Sequence, residues 1–155
     1  MPRVCLLGAT DVTLRYELLS RETAREALAT YDLSEPYANT VAVETVSLGA
    51  AVALCNDLNW YLVRFARDAL VEDRSVSETE WLSRELATAI RDDEVDAEGT
   101  GRYLRVYGVR EQEEGPPELL DPMYVARTGE TVPEYDLHEV EDTLRVRVTE
   151  AEFEA

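Results

Sequence analysis

LGAAVALCNDLNWYLVRFARDAL, residues 48–70, is the longest apolar periodic stretch in the chain. Leu48, Val52, Cys55, Leu58, Leu62, Phe65 and Ala69 recur at steps of three and four, the spacing of one helical face. Ala51, Ala66 and Leu70 widen that stripe. Gly49, Ala50, Ala53 and Leu54 make the first half apolar nearly all round, as in a buried helix. Asn56, Asp57, Trp60, Arg64, Arg67 and Asp68 mark a wetter side of the second half. The spacing predicts one long central helix that carries the core.

Outward from it, the flanking segments alternate between strand and helix signals. Residues 3–7 form a short apolar run closed by Gly8, the pattern of a buried strand. Val12, Leu14, Tyr16 and Leu18 alternate with polar residues, which predicts a hairpin across 8–11; a helix starting at Asp11 is the competing reading. Ser20 is placed to cap a helix over 21–31. Val41, Val43 and Val46 suggest another strand. Ser77 and Glu80 fit a capping box for a helix through Ile90. The acidic loop 91–101 is the best place for an internal boundary. Beyond it, in the C-terminal part 102–149, residues 102–110, 123–128 and 143–149 alternate as three strands. The linker EQEEGPPELLDP (111–122) is acidic, proline-bearing and expected to be mobile. The fold class is therefore α+β: a single domain over 1–155 in the order ββαβααβββ, with a mostly antiparallel sheet packed on the long helix.

Charge is the unusual property. The chain has 33 acidic and 15 basic residues, for a net charge of -18, and every basic residue is Arg. In ~0.1 M salt so acidic a surface repels itself and resists compaction. In ~1 M salt the Debye length falls to about 3 Å and like charges scarcely interact. An apolar content of 45% with clear periodicity argues against disorder. This lysine-free, acid-rich composition is similar to that of haloarchaeal proteins. There is no charged-then-apolar leader at the start, and the apolar run 48–55 is too short to span a bilayer, so a cytoplasmic location is expected.

Few residues suggest chemistry. GATD (8–11) follows a strand as in dinucleotide-binding domains, but the next glycine is Gly49, so a plain turn is the better reading. The loop 92–99 places Glu94, Asp96 and Glu98 at calcium-loop spacing, yet the twelfth position is Arg105 where a carboxylate is needed. Cys5 and Cys55 lie in apolar runs and read as buried thiols. His138 is the one histidine, without a nucleophile motif around it. No catalytic residue, metal site or cofactor is assigned.

One constellation stands out. Tyr103, Arg105 and Tyr107 share a face of one tail strand, and Arg145 and Arg147 share a face of another. Were these faces the same side of one sheet, arginines and tyrosines would line a surface able to hold carboxylates or to stack bases. The competing reading pairs the arginines with local glutamates, or buries the tyrosines under a helix.

LNWYLVRFARDAL (58–70) and SETEWLSREL (77–86) resemble a small uncharacterised protein family confined to haloarchaea. The similarity runs from the first strand through Ile90, and more loosely through the tail. That family has no assigned activity, so the resemblance implies source and compartment but no substrate, cofactor or site residue. The functional expectation is a non-enzymatic interaction or regulatory protein that docks on a larger macromolecule through the Tyr/Arg face. A protein partner is favoured over RNA or the ribosome, an enzyme ranks third, and neither DNA nor membrane is expected.

The charge makes a direct prediction. Circular dichroism should show cooperative structure at multimolar KCl and progressive loss on dialysis to ~0.1 M salt. Equal structure and equal heat resistance at both concentrations would contradict the screening argument.

Overall fold

A computed structural model describes residues 1–127 and 142–155. Its elements are β1 (Arg3–Gly8), α1 (Leu14–Leu19), α2 (Glu22–Leu28), β2 (Thr40–Glu44), α3 (Leu48–Asp57), α4 (Asn59–Phe65), β3 (Ala66–Glu72), β4 (Trp81–Ser83) and α5 (Arg84–Arg91). A 3₁₀ turn at Ala97–Gly99 leads to β5 (Tyr103–Arg110), β6 (Glu118–Leu119), β7 (Met123–Ala126), β8 (Asp142–Arg147) and α6 (Glu150–Glu154). The α+β class and the mostly antiparallel sheet are as the sequence indicates.

All eight strands belong to one sheet, in the order β2-β1-β3-β4-β8-β5-β6, with β7 beside β6 along the same edge of β5. Among the described residues only the β4–β8 pairing is parallel. Through that pairing the C-terminal strands join the N-terminal sheet, so the acidic loop 91–101 separates no independent layer. The segment 111–122 is not a plain linker: β6 within it pairs with Val109 and Arg110.

The stretch 48–70 is divided rather than continuous. Ser47 caps α3, its Oγ accepting from the Ala50 amide at 3.0 Å. Leu58 breaks the helix, α4 adds two turns, and the chain becomes strand at Ala66. Leu62 and Phe65 are helical while Ala69 and Leu70 are not. The spacing reads alike because a short strand buried on both faces need not alternate, so nothing in its pattern separates it from helix. Arg67 and Asp68, assigned above to a wet helical side, therefore lie on β3.

Two further segments differ. Residues 14–19 form α1, not the second arm of a hairpin. Leu14 and Leu18, one helical turn apart, are fully buried, while Tyr16 between them is exposed. Ser77 does accept from the Glu80 amide at 3.1 Å, but no helix follows; Trp81–Ser83 is strand, and Ser83 caps α5 by accepting from the Leu86 amide.

The sheet has two apolar faces. Val4, Leu6, Val41, Val43, Val71 and Leu82 meet α1 to α5 on one side. On the other, Cys5 and Leu7 of β1 cluster with Tyr107 of β5, Leu119 of β6, and Leu144 and Val146 of β8. Strands so far apart in the order share this cluster only because the sheet curls with that face inward. The curl brings the approaches to both edge strands together, where the Ala38 amide donates to the Pro117 carbonyl at 2.8 Å.

Leu70 is fully buried in the enclosed cluster, whereas Val46 is exposed. Leu70→Ala should cost roughly 2–5 kcal/mol in high salt. Val46→Ala should stay within about 0.5 kcal/mol. Equal costs by chemical denaturation would mean that the enclosed face is not packed as described.

Candidate functional site

The five tail residues do not form one surface. β5 and β8 pair as expected, but in the register Arg105↔Val146, Tyr107↔Leu144, Leu104↔Arg147 and Val106↔Arg145. Residues directly opposite in antiparallel strands share a face. Tyr103, Arg105 and Tyr107 therefore point with Leu144 and Val146 into the curl, and Arg145 and Arg147 point with Leu104 and Val106 away from it. Tyr103 is covered by α6, its ring 4.7 Å from that of Phe153.

Inside the curl, Arg105 and Tyr107 converge on Asp68 of β3. Arg105 Nη2 donates to Asp68 at 2.8 Å, and the Tyr107 hydroxyl donates to the other carboxylate oxygen. The Ala69 amide donates to Asp68 at 2.9 Å. Arg105 Nη1 lies 3.5 Å from Glu152 of α6. Glu152 in turn accepts from Ser83 Oγ at 2.6 Å and closes a capping box with Thr149. Burial raises the pKa of Asp68, which Arg105 and Tyr107 partly offset. Burial works against the Arg105 charge, but Asp68, Tyr107, Tyr124 and Glu152 outweigh it and raise its pKa. A cleft of about 210 Å³ opens above Asp68 and Glu152, between α4, β3 and the start of α5. This is a paired, hydrogen-bonded network that joins strands.

The other two arginines belong to a different cluster. Glu80, only 5% exposed, accepts from Arg147 Nε at 2.8 Å and from Arg127, with Arg145 Nη1 at 4.0 Å. Arg147 Nη1 also donates to Thr100 Oγ1 at 3.0 Å. Three guanidinium groups thus face one carboxylate. Sequence reasoning missed Glu80 and Arg127. In the sequence Glu80 reads as the end of a capping box, and no local pattern connects 80, 127 and 147.

A third feature is exposed. Trp60 and Val63 on α4 are 49% and 71% exposed. The Arg64 guanidinium lies 3.8 Å from the Trp60 ring centroid, and that of Arg21 lies 5.8 Å from it. Arg21 is held by Glu17 at 3.1 Å. α1, which carries exposed Tyr16, packs against α4.

The residues weighed for chemistry are placed as follows. Cys5 and Cys55 are buried and unbridged. Burial pushes the Cys5 thiol up to about 12 and the Cys55 thiol up to about 11, so both remain protonated at neutral pH. His138 lies outside the described residues. Among the described residues no group of three His, Cys, Asp or Glu side chains is arranged to hold a metal. Among them, too, no helix is long and apolar enough to cross a membrane.

These features define an α+β chain built on one curled sheet, with a buried ion-pair network inside and two arginine-bearing clusters outside. The chain belongs to DUF5804, a family of unknown function, whose family model matches residues 2–109. No curated protein and no solved structure matches it. The matched region holds β1 through most of β5, and with them Trp60, Arg64, Asp68, Glu80, Arg105 and Tyr107; Arg127, Arg145 and Arg147 lie beyond it.

Proposed function

We propose that this chain is a non-enzymatic interaction protein of a salt-rich, haloarchaeal cytoplasm, and that it docks on a larger protein through the outer face of α4. The observation that carries the reading is Trp60, half-exposed, beside Val63 and under the Arg64 guanidinium. Tryptophan and arginine are the side chains that most often dominate binding energy at protein interfaces. An exposed aliphatic beside them gains nothing by staying in water. The partner's contact surface should pair an apolar side chain with a carboxylate. Arg64 is a local positive feature on a chain of net charge -18, and it complements such a carboxylate.

The same Trp/Arg pair suits base stacking, which keeps RNA as the second reading. Val63 favours protein, because an aliphatic side chain has neither charge nor ring to offer a nucleotide. The salt-rich compartment is supported by the absence of lysine and by the excess of carboxylates.

A photoreactive benzophenone side chain placed at Val63 tests the docking surface. Irradiated in a haloarchaeal lysate at multimolar KCl, it should yield one dominant adduct with a second protein, resistant to nuclease. The adduct should disappear when Trp60→Ala is added. An adduct that survives Trp60→Ala, or no adduct at all, overturns the α4 contact; one removed by nuclease selects RNA instead.

A further inference from the structure

The Glu80 cluster has more positive charge than folding requires. Burying a carboxylate calls for one good cationic partner, and Arg147 already supplies it at 2.8 Å. Arg127 and Arg145 add two further guanidinium groups, at Glu80 Oε2. No other carboxylate lies within ion-pair distance of the three among the described residues. Counted over the described residues, the cluster therefore has an excess of about two positive charges at neutral pH, since arginine does not titrate there.

The guanidinium groups are not fully used. Arg127 Nε is buried without a hydrogen-bond partner, a state it shares with Arg21 Nε and Arg105 Nε. Arg145 approaches Glu80 only at the limit of an ion pair, and its side chain is 45% exposed. The backbone leaves room for them. Gly101 has φ +104°, and a Cβ there would lie 3.1 Å from Arg147 Nε and 3.4 Å from an Arg127 nitrogen. A side chain at that position would be strained and would crowd both groups. Thr100, next to it, adds a hydroxyl that already accepts from Arg147.

We propose that Arg127, Arg145 and Arg147, with Thr100 and Gly101 at the wall, form a binding site for a phosphate monoester dianion. Charge decides the class. A carboxylate neutralises only half the excess, whereas a phosphate monoester has a charge of about −1.5 to −2 at pH 7 and three acceptor oxygens. Arginine forks match those oxygens in pairs. Arg147 is fixed by Glu80 and Thr100 and holds the floor of the site. Arg145, the most exposed of the three, closes on the anion from the solvent side. The site stands apart from the α4 contact and does not depend on it.

The test uses inorganic phosphate on the whole chain, with ionic strength held constant by KCl. A ligand that binds only the folded chain raises its unfolding midpoint as concentration exceeds Kd. The midpoint should rise with phosphate at pH 7.5. It should rise much less at pH 5, where inorganic phosphate is almost wholly the monoanion. Acetate should have little effect. Arg145→Gln should weaken phosphate binding at least tenfold while the variant stays folded. In the unmodified protein, phosphate should shift the amide resonances of Thr100 and Gly101 by NMR. Equal stabilisation by acetate would make this a carboxylate receptor and overturn the dianion assignment. No response at Thr100 and Gly101, or undiminished binding by Arg145→Gln, would overturn the site itself.

Discussion

The fold depends on one buried ion pair. Asp68 on β3 and Arg105 on β5 are three places apart in the sheet, yet their side chains bond directly at 2.8 Å. A flat sheet would hold strands three places apart at roughly 14 Å, so the pair exists only because the sheet curls. In return, the curl is fixed by the pair. A buried charge left alone costs several kcal/mol, and breaking a buried pair costs about 3–5 kcal/mol. Asp68 is saturated by Arg105, Tyr107 and its neighbour's amide, and Arg105 reaches on to Glu152. Arg67, next to Asp68, donates to the Leu119 carbonyl at 3.0 Å and lies over the Tyr107 ring, extending the link from β3 to β6. The apolar cluster around Cys5, Leu7, Leu144 and Val146 is enclosed as a consequence.

Two arginine clusters on one sheet thus serve different ends. Inside, Asp68 is paired with Arg105 and hydrogen-bonded by Tyr107 and the Ala69 amide, which ties β3 to β5, although Arg105 Nε is left without a partner. Outside, around Glu80, three guanidinium groups share one carboxylate among the described residues, more than the burial of that carboxylate requires. The contrast sets the Glu80 cluster apart from the buried pair in a chain where every basic side chain is arginine.

Much of the architecture is legible in the residues. Arg3–Gly8, Thr40–Glu44 and Tyr103–Arg110 read as strands because β-branched and apolar residues are bounded by turn formers. What the sequence hides is phase. Tyr103, Arg105 and Tyr107 do share a face, as do Arg145 and Arg147, but which faces coincide depends on register, and a slip of one residue inverts the answer. The helix-to-strand change at Ala66 is hidden for another reason: residues 69–71 of ARDALVE are buried on both faces and do not alternate. The break at Leu58 has no glycine or proline to announce it. The Glu80 cluster draws on β8, the residue that follows β7 and the segments before β4 and β5, so only the assembled sheet brings it together.

The central claim is that the Asp68–Arg105 pair holds the curl and thereby joins the two ends of the sheet. Amide hydrogen exchange on Asp68→Asn in high salt tests it most directly. The account predicts that Ala38 and Leu120, whose amides donate to the Pro117 and Gly108 carbonyls, lose protection, while the β1–β2 and β1–β3 ladders keep theirs. Unchanged protection at Ala38 and Leu120, or a uniform loss across the whole sheet, would contradict it.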